Sequence, residues 1–573
     1  MTWSVTKRYV TDGRVTAGLG LYSFVIVALL LTSGMGALGK VGADGTEPAA
    51  GFRARVFERS VSLLMDDGFY YLGIARNVAR GSGSTFSGGE PTNGYHPLWM
   101  LTLVPLFWLT ESVKTALVAS VLLQAGLMTA GAGVAYRTAR LTLGRLPAAV
   151  TALCWIALTY RLALSGLEFG LQALCLLATA FVYRRRFGAD PPSLRYFLGL
   201  GGLLALSFLA RLETVALAGT IGLLLLLRQA RAGFDRSAIH RLVAFAAPIT
   251  LAVAGYGLAN LWLFGGPLPV SAYIKRVESA EYLAHDPHYA SGGWLVAKLA
   301  LVSWWVQHTG WSFVLAMTAG TVGAGALLTA GILARRRRAW NAWSKRHLFP
   351  WTPFILFSLA QLVASLTLYH SGLSFQPWYF VVQPWLAALG IGVVLETSRR
   401  WVRKTDAGRS ARLAWLIPPV AVLLLLAGPL LTARSLWAWE SRMRLGLSPA
   451  GQLAYEPLDA AALWLRSTSE VPADAVVGAW NAGAIGYLSG RTVVNLDGLV
   501  NSWEFARRGR LDLCAYGRMR GITYLVDVWT ADAALPDALR GCADRLEPIW
   551  VGPAHPDRPD RRAIAYRIRW NAR

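Results

Sequence analysis

The chain has 573 residues, 54% of them hydrophobic and only 15% charged, with a mean hydropathy of +0.41. A soluble protein carries about a quarter charged residues, and apolar runs of about 20 residues recur through the first three quarters, so a polytopic α-helical membrane protein is expected. No strand-like alternation marks a barrel. The net charge of +24 resides in Arg clusters between apolar runs, as cytoplasmic loops do, and not in a nucleic-acid surface. Such loops also suit anionic lipid head groups.

The run 17–39 follows Lys7, Arg8 and Arg14. It is long and lacks a small-residue cleavage site, so it reads as a retained span and not a signal peptide. Further spans are expected near 113–136, 147–164, 168–183, 197–210, 214–227, 242–264, 311–333, 350–370, 378–396 and 413–433, about eleven in all. With the N-terminus cytoplasmic, the clusters Arg137/Arg140/Arg145, Arg184–Arg186, Arg228/Arg231/Arg236/Arg241, Arg335–Arg338 and Arg399/Arg400/Arg403/Lys404 all face inward. That orientation requires "PLWMLTLVPLFWL" (97–109) and "AKLALVSWWVQHT" (297–309) to lie at the interface, as their length predicts. The segments 40–96, 165–168, 211–213, 265–296 and 370–377, and everything after about 434, then face outward.

The last 140 or so residues change character. "DAVVGAW", "RTVVNLDG" and "GITYLVDVW" read as strands and "AGAIGYLS" as a helix, so a small α/β domain is expected. Cys154 and Cys175 fall in spans and read as packing residues. Cys514 and Cys542 fall in the outer region, where a disulfide is compatible with their setting.

Candidate chemistry begins at "LLMDDGFYYLGIARNVA" (63–79). Asp67 precedes a helical face formed by Tyr71, Ile74, Ala75 and Val78 and is placed to cap that helix. Capping accounts for one aspartate and leaves the other of the Asp66–Asp67 pair to bind a cation or act as a general base. The loop "GSGSTFSGGEPTNGYHPLW" (81–99) has the irregular composition that places backbone N–H groups around phosphate or sugar, and brings Asn93, Tyr95 and His96 to the start of a short helix. Ionisable groups at the outer ends of spans are costly and are functional candidates by default. They are Glu168, Arg211 and Glu213, then Ser271, Tyr273, Lys275 and Arg276, then Tyr369, His370, Gln376, Trp378 and Tyr379. An internal ion pair of Arg211 with Glu168 or Glu213 is the plainer alternative. Together these residues describe a polar cavity at the outer face, with cations for a phosphate, acids and aromatics for a sugar, and lipid alongside for a prenyl chain.

"MDDGFYYLGIARNVARGSGSTFSGGEPTNGYHPLW" resembles the first-loop signature of bacterial GT-C glycosyltransferases, polytopic enzymes that use polyprenyl-phosphate sugars. "SGLEFGL", "FLARLET" and "FGGPLPVSAYIK" follow in the family's order. The set is similar to actinobacterial terminal arabinofuranosyltransferases and, more distantly, to protein O-mannosyltransferases. The family pattern as matched carries Ser or Asn where this chain has His96, a departure that bears on the donor sugar. "VGAWNAGAIGYLSGRTVVNLDGLVN" resembles a soluble domain appended to a subset of these enzymes, where Asn481, Asp497 and Asn501 either contact an acceptor glycan or form turns.

The resemblance implies a GT-C catalytic module over 1–433, with its first outer loop at about 40–96, and an extracytoplasmic α/β domain over 434–573. It implies an inverting transfer of one sugar from a polyprenyl monophosphate donor to a cell-envelope glycan, lipid or protein, at the outer face of a bacterial plasma membrane. Asp67 or Asp66 is the base, with Asp67 preferred. Arg211 and Lys275 hold the donor phosphate, and Tyr95, His96, Glu168, Glu213, His370 and Tyr379 line the substrate site. The resemblance leaves metal dependence open, since some of these enzymes use a divalent cation and others do not, and Asp66 or Asp67 would hold one. A lipid or glycan transporter is the main alternative, and a non-catalytic envelope-binding module the next.

Overall fold

The computed structural model describes residues 2–32, 56–57, 59–186, 193–285, 338–368, 376–402, 457–530, 537–555 and 558–570, and the single positions 293, 296, 323, 325 and 327. The expected span near 413–433, that near 311–333 except positions 323, 325 and 327, the segment 297–309, Tyr369, His370 and the boundary at 433/434 fall outside these residues.

Helix α1 (Thr2–Thr32) is followed by α2 (Asp66–Ala79), α3 (Pro97–Leu109), α4 (Val113–Arg140), α5 (Arg145–Ala163), α6 (Phe169–Arg185), α7 (Leu194–Ala210), α8 (Val215–Ala232), α9 (Arg236–Phe264) and α10 (Val270–His285). Then come α11 (Arg338–His347), α12 (Thr352–Leu368) and α13 (Val382–Val402). Among the described residues, five helical stretches are long and apolar enough to cross a membrane: Val113–Arg140, Arg145–Ala163, Leu212–Arg231, Arg236–Phe264 and Ala342–Leu368. On α9, Leu251 is 75% and Trp262 85% exposed, a surface that water penalises and hydrocarbon accepts.

Local sequence sets several ends. Pro97 opens α3 at its first turn, and the 13-residue helix falls short of the roughly 20 residues a crossing takes. Gly265, at φ +77°, closes α9 in the left-handed conformation that other residues resist. Helix α1 begins well before its apolar run. Its Asp12 is held by the Tyr136 hydroxyl at 2.9 Å and by Arg140 at 3.4 Å.

Helix α2 meets the turn between α5 and α6 at two glycines. A Cβ on Gly68 would stand 2.9 Å from both Gly166 Cα and Ser165 O. Met65 N–H also donates to Ser165 O at 2.9 Å, which fixes this crossing.

The C-terminal region contains α14 (Pro457–Ser467), β1 (Val476–Ala479), α15 (Ala482–Ser489), β2 (Thr492–Asn495), α16 (Trp503–Arg507), α17 (Leu513–Met519), β3 (Ile522–Thr530), β4 (Leu546–His555) and β5 (Arg558–Ile568). The expected α/β unit is present, with β1 parallel to β2 and β3. The antiparallel strands β5 and β4, which the sequence pattern does not announce, extend the sheet to the order β2-β1-β3-β5-β4. Trp464 of α14 stacks on Trp550 of β4 at 4.7 Å, and Cys514 and Cys542 form a disulfide.

Gly68→Ala drives a methyl into backbone on the facing turn, and such overpacking costs about 1–3 kcal/mol. A lower thermal midpoint of the purified protein is expected; an unchanged midpoint contradicts the close crossing.

Candidate active site

The residue before helix α2, Met65, is extended and offers no side-chain cap, so neither aspartate caps its own helix. This corrects the expected capping by Asp67. Both acids sit in the first turn, where the positive helix end favours carboxylates. Adjacent helical residues point about 100° apart, and the two side chains take different partners.

Asp66 turns away to the C-terminal domain. Its Oδ2 accepts from Gly483 N–H at 3.1 Å and its Oδ1 from Ala484 N–H at 2.7 Å. Burial pushes its carboxyl up to about 7, against the pull of the Ala484 amide and with the Asp67 charge adding to the rise. One turn on, Tyr70 Oη accepts from Ala482 N–H at 3.2 Å. The first three amides of α15 are therefore satisfied from α2.

Asp67 faces a cleft with ≈ 500 Å³ of empty space, open solvent at its mouth included. Tyr70, Tyr71, Tyr95, His96, Glu168, Arg211, Lys275 and Tyr379 share its walls, with Ser271, Trp378 and Leu499. Burial raises the Asp67 carboxyl above its ordinary range; Lys275 opposes the rise and Glu168 adds to it.

Behind the cleft lies a buried ion-pair network. Arg211 ends α7 in extended backbone and is 5% exposed. Its Nη1 donates to Glu168 Oε1 at 2.7 Å and to Trp378 O at 3.2 Å, and its Nε to Glu213 Oε1 at 2.5 Å. Its guanidinium lies 4.7 Å from the centre of the Tyr379 ring. The internal ion pair is thus present, with both glutamates. Among the described residues no hydrogen bond reaches the remaining nitrogen, Nη2. Glu168 Oε2 accepts from the Tyr71 hydroxyl at 2.8 Å. Burial pushes Glu168 up, but His96, Arg211 and the Tyr71 bond outweigh it and leave the carboxyl below its ordinary range. Glu213 pairs with Arg211 and is not a wall of the cleft.

Lys275 is placed by the loop before α3. Asn93, 2% exposed, accepts from Val270 N–H at 2.9 Å, and so caps α10, while its amide donates to Leu268 O at 3.0 Å. Lys275 lies on the second turn of α10 and donates to Tyr379 Oη at 2.7 Å. Tyr95 Oη pairs with Ser84 Oγ at 2.6 Å. His96 Nε2 lies 3.7 Å from Glu168 Oε1, and burial holds its pKa below the usual value despite that carboxylate.

Both Asp66 oxygens accept from backbone amides, while Asp67 is the acid of the pair that faces the cleft. Among the described residues no group of three His, Cys, Asp or Glu side chains is placed to hold a metal ion. Asn481 and Asn501, read as acceptor contacts or turns, bond inward: Asn481 to Asp527 at 2.8 Å and Asn501 to Asn495 O at 2.6 Å. Asp497 accepts from Leu499 N–H at 2.7 Å and from the Tyr70 hydroxyl at 3.3 Å.

This geometry sits in a fold with solved counterparts. ArnT from Cupriavidus metallidurans, in a crystal structure bound to undecaprenyl phosphate, superposes with a TM-score of 0.51 at 15% identity, over 91% of this chain and 97% of that one. The chain has the fold of ArnT. The oligosaccharyltransferase AglB from Archaeoglobus fulgidus is a more remote neighbour, with a TM-score of 0.49 at 14% identity, over 91% of this chain and 69% of that one. Residues 445–556 match a family described as Domain of unknown function (DUF8728). No curated protein matches by sequence.

Within this fold, Tyr70, Gly94, Leu167 and Leu499 line the cleft without being among the residues expected from sequence. Tyr70 stands three residues after Asp67, at a helical spacing that would have pointed to it. Leu499 comes from the C-terminal domain and has no local signal.

Removing Arg211 strands buried Glu168, and breaking a buried pair in this way costs about 3–5 kcal/mol. Arg211→Met is expected to lower the unfolding midpoint more than Glu168→Gln, after which Glu213 still pairs with the guanidinium. The reverse order contradicts the network.

Proposed function

We propose that the protein is a glycosyltransferase that moves a single sugar from a polyprenyl monophosphate to a hydroxyl of a cell-envelope acceptor. The observation that carries this is the convergence of a carboxylate, Asp67, with Lys275 and Arg211 on one cleft in a fold shared with ArnT. The polyprenyl phosphate bound by ArnT supports the donor class. The Cys514–Cys542 disulfide supports an oxidising compartment for the C-terminal domain, and hence a cleft on the outer face of a plasma membrane with the N-terminus inside. The sequence resemblance leaves pentoses, including arabinofuranose, and hexoses as donor sugars.

In this mechanism the acceptor hydroxyl attacks the anomeric carbon from the face opposite the phosphate, which inverts the configuration. The Asp67 carboxylate takes the hydroxyl proton as the new C–O bond forms. The bond between the anomeric carbon and the phosphate oxygen breaks, and the polyprenyl phosphate leaves with the electron pair. Lys275 and Arg211 Nη2 offer positive charge to that leaving group, with Glu168 and Glu213 holding Arg211 in place. Tyr95, His96 and Tyr379 shape the sugar pocket, and His96 stays neutral at physiological pH because its pKa is lowered.

The assay supplies purified protein with a panel of labelled undecaprenyl-phosphate pentoses and hexoses and envelope acceptors. Asp67→Asn is expected to lower kcat by about 10²–10⁴-fold. A base must be ionised, and burial raises the Asp67 pKa, so kcat/KM is expected to fall on acidification at a pH above the ordinary value of about 3.9. Full activity in Asp67→Asn overturns the assignment; a donor panel that never turns over favours a transporter.

A further inference from the structure

Helix α15 has an unusual start. Its first three N–H groups need acceptors, and such amides are normally satisfied by the residue just before the helix. Asn481 occupies that position and makes no side-chain cap. Its amide group is committed to Asp527, which also accepts from Asn481 N–H at 2.9 Å and from Trp480 N–H at 2.5 Å. The acceptors come from α2, more than 400 residues earlier: Tyr70 for Ala482, and Asp66 for Gly483 and Ala484.

The contact leaves no slack. A Cβ on Gly483 would overlap the Asp66 backbone carbonyl and stand 2.8 Å from its Oδ1. Nearby, a Cβ on Gly94 would overlap the Leu499 carbonyl, and one on Gly498 would meet Ile274 Cδ1 at 2.8 Å. Asn495 ties the same loop to α2 by donating to Tyr70 Oη at 3.1 Å, while its own Oδ1 accepts from Gly498 N–H at 2.9 Å. The C-terminal domain therefore seats on α2, on the loop before α3 and on α10, the elements that carry Asp67, His96 and Lys275.

We propose that Asp66 is a positioning residue: its docking onto the N-terminus of α15 fixes the rotation of α2 that presents Asp67 to the cleft, which gives the DUF8728 region the role of completing the catalytic site. Because the acids are neighbours on one turn, fixing the direction of one fixes the other. A misplacement of about 1 Å is enough to cost about 10²-fold in rate. The same seating places Leu499 on the wall of the cleft that Asp67 faces. This inference rests on the reading of Asp67 as base.

The test uses the full chain in lipid nanodiscs, with the undecaprenyl-phosphate sugar panel as donors. Asp66→Ala removes the acceptors; Asp66→Asn keeps one; Gly483→Ala disturbs the seat from the other domain and leaves both acids intact. The expected order of kcat is wild type, then Asp66→Asn, then Asp66→Ala, with Gly483→Ala lowered by about 10²-fold as the misplacement argument gives. KM for the donor is expected to stay within about twofold, since the interaction lost is one made in the transition state. As water reaches Asp67, the acid limb of the pH profile is expected to move down toward about 3.9. A merely structural role would scale activity with the folded fraction and leave the acid limb in place, and that result overturns the proposal. So does a Gly483→Ala variant with wild-type kcat while Asp67→Asn is inactive. If Asp67→Asn itself is active, the base assignment fails first and is identified as the failure.

Discussion

The structure depends on one interaction, the capping of the C-terminal helix α15 by the first turn of α2. Three amides of α15 face acceptors on α2, and among the described residues no nearer side chain serves them. Unpaired buried amides are costly, so the two regions hold each other in register. Asp66 is consumed by this contact, and Asp67 is left as the acid of the pair that faces the cleft.

The electrostatics of the cleft follow from burial. Arg211 is held between Glu168 and Glu213 and against Tyr379, so its guanidinium is fixed in direction before any ligand arrives. Lys275 comes from α10, whose start is set by Asn93 in the same loop as Tyr95 and His96. Cation and acid thus reach one cleft from different elements. In the proposed mechanism a phosphate and a hydroxyl are held there together, with little reorganisation needed as charge develops.

Much of this was legible in the chain. The ends of the apolar runs gave Glu168, Arg211 and Lys275 as candidates, because charge beside a span is expensive. Short hydrophobic strands and turn residues gave β1, α15, β2 and β3. Strands β4 and β5 were not legible. Pro548 and Gly552 interrupt β4 and register shifts break its pairing, while Arg558, Asp560, Arg561 and Arg562 give the start of β5 the polar composition of a loop. The role of Asp66 was hidden for a different reason. Its partners lie 417 and 418 positions away and are backbone amides, which carry no residue-type signal. Leu499 reaches the cleft through the same seating.

The central claim is that this cleft receives a polyprenyl phosphate with its phosphate opposite Asp67. A structure of the full-length protein in lipid nanodiscs with undecaprenyl phosphate tests it most directly. The account places the phosphate against Lys275, with Arg211 behind it and the Asp67 carboxylate across the space left for a sugar. A phosphate bound away from these residues, with the cleft left to solvent, would contradict it.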